Sequence, residues 1–308
     1  MLDPATASAA TILEIGIVLT IGAALIFGGV MWLLMRAVRR RAAGPRQLNA
    51  TLWVVGGGVV FPAVVMTALL AYSTLRTVQL TTDGVDETSG RIVISVTGAM
   101  WWWEVRYRDP ASGGEILLAN EVRVPVGRPV TIGLTTADVI HSFWVPALAG
   151  KVDMIPGRVN QVRFEAARAG VYRGQCAEYC GDQHAKMALY VIAVAPDEFE
   201  RWLAAQAQPA SPPADSLAQR GHQVFVEQRC NACHTVRGIG AVSRIGPDLT
   251  HVASRVSIGA GELPTRGETF RAWVANIQHI KPGARMPSFA HLDDGALQAL
   301  AAFLESLK

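Results

Sequence analysis

At 308 residues the chain is long enough for two domains or more, and half of its residues are hydrophobic. Its formal net charge of +3 is too small to imply nucleic acid, and no polybasic tail, phosphate-binding glycine loop or Ser/His/Asp constellation occurs. Only four of the 28 basic residues are lysines, and this arginine- and alanine-rich usage suggests a bacterium of high genomic GC content.

The apolar residues concentrate first in two runs, about Ile12 to Met35 and about Leu52 to Tyr72. Each is near the 20 or so residues needed to cross a bilayer. A short loop between them holds Arg36, Arg39, Arg40, Arg41 and Arg46 and no acidic residue, whereas the lead into the first run has Asp3 and Glu14 and no Lys or Arg. Basic residues stay in the cytoplasm, so residues 1–80 read as a transmembrane hairpin with both termini on the far side. A cleaved signal peptide is the alternative for the first run, but its basic residues follow the apolar stretch instead of preceding it. Gly56, Gly57, Gly58 and Pro62 mark the second span as a face packed on a larger membrane partner, or as tolerated glycines facing lipid.

From Arg91 the pattern changes to short β-branched and aromatic runs: the alternation of Ile92, Ile94 and Val96 with Val93 and Ser95, then EVRVP, PVTIGLT, QVRFEA and LYVIAVA. These predict an all-β sandwich of about 110 residues, over 88–200. In MWWWEVRY, strand geometry puts Trp101 and Trp103 on one face and Trp102 on the other, and such aromatic clusters are most often packing.

Within that region YRGQCAEYCGDQHAKM, residues 172–187, supplies five candidate metal ligands: Cys176, Glu178 through its backbone carbonyl, Cys180, His184 and Met187. His141 in DVIHSFWVP is a sixth. Thiolate, imidazole and thioether together form a soft donor set that selects copper over magnesium, calcium or manganese. Two cysteines four apart can also each bridge a pair of metals. A structural disulfide or redox dithiol is the competing reading, and it leaves His184 and Met187 without a role.

CAEYCGDQHAKM resembles the binuclear copper A loop of cytochrome c oxidase subunit II, and HSFWVPALAGKVDMIPGRVNQ and GAMWWWEVRY resemble neighbouring runs of that family in order and spacing, over roughly residues 10–200. The resemblance implies a cupredoxin-like Greek-key domain. It implies bridging thiolates at Cys176 and Cys180, one nitrogen each from His141 and His184, a weak axial sulfur at Met187 and the carbonyl of Glu178. It further implies that electrons enter at Trp101, and that the Glu178 side chain faces a magnesium ion at the interface with subunit I. One departure stands out: the family often places a carboxylate before the second helix, at the mouth of a proton path, and nothing acidic occurs between Ala42 and Thr82.

Residues 204–215, AAQAQPASPPAD, read as a semi-extended spacer. Beyond it, residues 216–308 contain Cys-Asn-Ala-Cys-His at 230–234, the attachment signature of c-type haem. Cys230 and Cys233 would bind the porphyrin covalently, and His234 would ligate the iron. The unit resembles an all-α class I cytochrome c: Gly221 and Phe225 on a first helix, Gly-Pro-Asp-Leu at 246–249 supporting the histidine, Met286 as distal ligand, and Leu297, Leu300, Leu304 and Leu307 at helical spacing. His222, His251, His279 and His291 read as surface or supporting residues, His251 being notable for its place beside the 246–249 loop.

Two cysteines assigned to copper and two to haem leave none for a disulfide. Both cofactors require an oxidising, extracytoplasmic compartment, so the chain is expected in a bacterial inner membrane with copper and haem domains outside. The combined expectation is subunit II of a caa-type oxidase. It would pass electrons from cytochrome c, including its own c haem, through copper A to haem a of subunit I, where dioxygen is reduced and protons are pumped. Subunits I and III, lipid and an external cytochrome c are the expected partners. A nitric oxide or nitrous oxide reductase subunit using the same copper module is one alternative. A membrane-anchored copper chaperone is another, disfavoured by Gly181 after the second cysteine and by the all-β frame.

Overall fold

The computed structural model describes residues 3–40, 49–82, 92–240 and 242–308. Arg41 and Arg46 of the basic loop, and Arg91, lie outside the described residues. The chain divides into two units, one formed by the N-terminal helices and one by everything from residue 88 onward together with residues 3–6.

In the first unit, helix α1 spans Ala7–Arg40 and helix α2 spans Phe61–Thr82. Leading into α2, residues Leu52–Val60 form a π-helical stretch. It closes where Phe61 N–H donates to the Gly56 carbonyl, directly before Pro62, which has no N–H to continue the ladder. Both helices are longer than the apolar runs predicted, and both are long and apolar enough to cross a membrane. Large apolar side chains such as Leu25, Phe27 and Leu70 are exposed along them, as a lipid solvent requires. Glu14 of α1 accepts from the Tyr72 hydroxyl of α2 at 3.4 Å and pairs with Arg76, which ties the two helices.

In the second unit, ten strands build a two-layer sandwich. One sheet has the order β3-β2-β1-β5-β8, with β1 Ile92–Ala99, β2 Trp102–Arg108, β3 Glu115–Ala119, β5 Pro129–Thr136 and β8 Asn160–Glu165. The other runs β4-β10-β9-β6-β7, with β4 Glu121–Pro125, β6 His141–Trp144, β7 Val152–Met154, β9 Gly170–Cys176 and β10 Ala188–Val194. Period-two alternation decides which residues face inward: Ile94 and Val96 are fully buried while Val93 is exposed. Ile132, Leu134, Leu189 and Val191 meet them in a continuous core. Two parallel pairings, β1 with β5 and β4 with β10, come from long crossings between the sheets. Residues 3–6 are built into this sandwich: Ala5 N–H donates to Ala147 O, Ala167 N–H donates to Ala5 O, and the Thr6 hydroxyl donates to Leu148 O at 2.6 Å.

The tryptophan run departs from the expected strand. Met100 and Trp101 form the turn between β1 and β2, and only Trp102 and Trp103 lie on a strand. Trp103 is fully buried against Phe143, whereas Trp101 is half-buried at the end of the sandwich.

Helix α3, Pro196–Ala207, covers the sandwich with Phe199 and Leu203, so residues 204–207 of the expected spacer are its last turn. The segment that follows is bound as well. Arg237 donates to the carbonyls of Gln206 and Ala207, and His251 bridges the carbonyls of Gln208 and Lys308. Helix α4, Ser216–Glu227, starts at Asp215, whose carboxylate caps Ala218 N–H. Helices α5, Gly267–Ile280, and α6, Asp294–Ser306, complete a helical unit interrupted by one short strand pair, β11 Ser257–Ile258 with β12 Leu263–Pro264. Gly221 permits the tight α4–α6 crossing, because a Cβ there would collide with the Ala299 backbone. Leu297, Leu300, Leu304 and Leu307 are all buried in this core.

Candidate metal centres

Strand register delivers the donor groups of the sandwich to one end. His141 opens β6 and Cys176 closes β9, and β6 pairs with β9 through Phe143 and Cys176. Cys180, His184 and Met187 follow in the loop to β10, where a short 3-10 turn at His184–Lys186 folds the chain back. Cys176 N–H donates to Met187 O and Ala177 N–H to Ser142 O, which pins both ends of the loop to strands.

The side chains converge. The two cysteine sulfurs are 3.8 Å apart and unbonded; His141 Nδ1 is 3.8 Å from Cys176 Sγ, His184 Nδ1 is 3.6 Å from Cys180 Sγ, and Met187 Sδ is 3.9 Å from Cys180 Sγ. The Glu178 carbonyl lies 3.2 Å from Cys176 Sγ. His141, Cys176, Cys180 and Met187 are buried, while His184 is half-buried. His141, Cys176 and Cys180 form the group of metal-ligating side chains, with ligand atoms within 4.8 Å of one another.

Burial of such donors is costly unless something positive joins them. Cys176 is drawn below the usual thiol range by its hydrogen bond with Cys180 and by His141, against burial. Cys180 is pushed up by the Cys176 thiolate and by burial. The two opposite shifts express one thing: two buried sulfurs this close disfavour carrying negative charge together, and a cation between them would relieve that. Metal–sulfur bonds are about 2.3 Å, so sulfurs 3.8 Å apart can both touch one ion. The residues fit copper.

Asp138 orients the histidine. Its carboxylate lies 2.9 Å from His141 Nε2, an arrangement in which Nε2–H donates and Nδ1 is left facing the cysteines. The same carboxylate accepts from Met100 N–H and Val139 N–H. Burial tends to lower His141, but the bonds to Cys176 and Asp138 outweigh it and the imidazole is raised. Gly98 is required here, since a Cβ would sit 2.8 Å from His141 Cδ2. Trp101 Nε1 donates to Cys180 O at 2.8 Å, which joins its indole directly to the loop. The Glu178 carboxylate is not free: Lys151 Nζ donates to it at 3.2 Å and also to Asp153.

In the helical unit, Cys230 and Cys233 flank a 3-10 turn immediately after α4, and His234 follows. His234 Nδ1 donates to Pro247 O at 2.7 Å, leaving Nε2 as the only nitrogen able to ligate. Burial lowers the histidine despite that bond, which favours the neutral ligand. Gly246 lets the 246–249 loop close on the ring, because a Cβ would lie 2.7 Å from His234 Cε1. Cys230, Leu249, Met286 and Phe289 all pack on one core, and Gln278 fixes the Met286 loop through the carbonyls of Ala284 and Met286. A thiol pair on a turn, a neutral histidine and a methionine on one apolar core suit a covalently held haem.

Sequence reasoning missed Asp138, Gln183, Glu121 and Lys281. Asp138 has a signal, its spacing of three before His141. Gln183 donates to Pro282 O, Glu121 accepts from Val256 N–H and Lys281 donates to Trp101 O, contacts so distant in sequence that no local pattern reveals them.

Comparisons with known proteins find relatives of both domains. The family described as "Cytochrome C oxidase subunit II, periplasmic domain" matches residues 110–194, and the family "Cytochrome c" matches residues 218–308. The chain is 33% identical over 284 residues to "Cytochrome c oxidase subunit 2" of Alkalihalophilus pseudofirmus, covering 91% of this chain and 81% of that protein. It is 29% identical to the protein of the same name from Bacillus subtilis, covering 86% and 77% respectively. The crystal structure of the periplasmic domain of subunit II of cytochrome oxidase from Bradyrhizobium japonicum is 35% identical, over 37% of this chain and 92% of that one, with a TM-score of 0.35.

Proposed function

The chain belongs to the cytochrome c oxidase subunit II family with a cytochrome c domain fused behind it, and from this we propose that it passes electrons from cytochrome c, including its own c haem, by way of a binuclear copper A centre to haem a of subunit I, where dioxygen reduction is coupled to proton translocation. The observation that carries this reading is the convergence of two cysteines, two histidines and a methionine at 3.6–3.9 Å contacts.

Cys176, Cys180, His141, His184, Met187 and the Glu178 carbonyl would together hold the copper ions, the methionine as the weakest of the donors. Cys230, Cys233, His234 and Met286 would hold the haem. When bound, these groups accept and release single electrons. The protein's own part is to keep the donors still. Strands β6 and β9 fix His141 and Cys176, Asp138 fixes the imidazole, and burial excludes water, so little needs to rearrange between oxidation states. Trp101, bonded to the Cys180 carbonyl, would be the point at which electrons reach the copper loop. Glu178 would serve a magnesium ion at the subunit I interface, in place of its bond to Lys151.

The helices anchor the chain in a membrane, and its place is in an oxidase complex, with subunits I and III as the neighbours we propose. Residues 3–6 pack on the sandwich, and this supports a hairpin whose two ends emerge on one side, the outer face. In the purified oxidase, Cys180→Ser should leave the c haem reducible by external cytochrome c and abolish dioxygen consumption. Undiminished consumption would refute the order of carriers.

A further inference from the structure

The helical unit sits against the copper loop itself. Ala188 N–H donates to Ala260 O at 2.9 Å, Gln183 Nε2 to Pro282 O at 2.8 Å, Lys186 Nζ to Ile280 O, and Val256 N–H to the Glu121 carboxylate. Gly261 lets the two surfaces close, because a Cβ there would lie 2.8 Å from Ala188 Cβ, and Gly283 sits beside the Trp101 ring. At the centre is Lys281. Its side chain is buried, and its ammonium donates to Trp101 O at 2.8 Å, Lys186 O at 2.7 Å and Gly259 O at 3.0 Å. An ammonium has three N–H groups, and all three are used. Two of the acceptors belong to the copper domain, one on the tryptophan whose indole bonds Cys180 and one beside Met187. Lys281 lies five positions before Met286, at the start of the loop that leads to it.

We propose that Lys281 is a positioning residue for electron delivery: its three-carbonyl bond locks the haem domain onto the copper loop with the 281–286 segment against Trp101, so that the haem-to-copper step proceeds within a fixed contact and external donors meet the haem domain instead of the copper loop. Burying a lysine is expensive unless each donor is satisfied, and here each is. A surface lysine on a tethered domain would face water. The inference rests on the proposed order of carriers for its functional meaning, while the lock itself does not depend on it.

The test uses the full chain in its oxidase complex, as wild type, Lys281→Met and Lys281→Arg. Methionine keeps the stem and removes the donors; arginine keeps the charge but carries a flat fork in place of a compact head. Hydrogen exchange should show segments 183–190 and 256–263 protected in the wild type, with protection falling by roughly 10- to 100-fold in Lys281→Met, the effect of losing hydrogen bonds to a charged group. After photoreduction of the haem, the wild-type internal step should be independent of solvent viscosity. In Lys281→Met it should slow and become viscosity-dependent, with haem absorbance and copper signal unchanged, and Lys281→Arg should not restore it. Unchanged protection and an unchanged, viscosity-independent rate in Lys281→Met would overturn the lock. Loss of protection in Lys281→Met together with a wild-type haem that never reduces copper would uphold the lock and refute the order of carriers.

Discussion

In the sandwich, the donor groups meet through direct contacts of 3.6–3.9 Å, set by strand register and by backbone bonds between β6, β9 and the loop after them. In the helical unit, His234 follows one turn and Met286 sits on another, 52 positions later, and both reach a common core only because α4, α5 and α6 pack around it. The candidate copper ligands Cys176, Cys180 and Met187 are thus buried members of the sandwich core itself. The candidate haem ligands Cys230 and Met286 are half-buried and pack against the core of a unit of under a hundred residues. A covalently held haem would cover the side of that core on which Cys230 and Met286 are left half-buried, so the haem would be part of its packing.

Removing the haem should therefore break one region and spare the other. Cys230→Ser with Cys233→Ser should abolish covalent haem and the cooperative unfolding transition of the helical unit, while the sandwich transition stays. Calorimetry with haem absorbance reads both, and a retained haem-domain transition would erase the contrast. Next in size is the α4–α6 crossing: Gly221→Val drives its side chain into the Ala299 backbone and should cost about 3 kcal/mol or more, by denaturant titration of the haem unit.

On the copper side the expected effects are smaller, because the frame survives loss of one bond. Asp138→Asn should weaken copper binding roughly 10- to 100-fold, as measured by competition with a chelator, without altering the sandwich transition. Electron delivery separates the regions in another way. Reduction of the haem by external cytochrome c should fall steeply as salt rises, whereas the internal step, made across a fixed contact, should change little. Equal slopes would count against an internal donor.

The smallest effect concerns Glu121, held by the Val256 and Ser257 amides between the two regions. Burial raises its carboxyl above the ordinary range, although those amides and the nearby Arg255 and Arg123 pull it down. A raised carboxyl contributes stability that is fully present below its unfolded value and is lost as pH rises through its folded value. Glu121→Gln keeps an acceptor oxygen for Val256 N–H and should flatten this slope in thermal unfolding measured from pH 4 to pH 7, an outcome a retained slope would contradict.

The sequence carried the chemistry further than the architecture. Cys176, Cys180, His184 and Met187 lie within twelve residues, and Cys230, Cys233 and His234 within five, so local spacing sufficed to mark them as candidate ligands. The strand alternation around Ile94 and Val96 was legible for the same reason, since one face of a sheet repeats every second residue. Trp101 was misplaced onto a strand because composition could not show that β1 stops at Ala99. The contacts of Lys281 and Glu121 were invisible: each bonds backbone groups more than 90 residues away, which depend on two domains already being folded.

The most direct test of the account is the metal content of the full chain, read together with its electron paramagnetic resonance spectrum. The account predicts about two coppers per haem iron and a signal from one unpaired electron shared over both coppers. One copper or none, beside intact haem, would contradict it and leave the sandwich without the carrier that its cysteines imply.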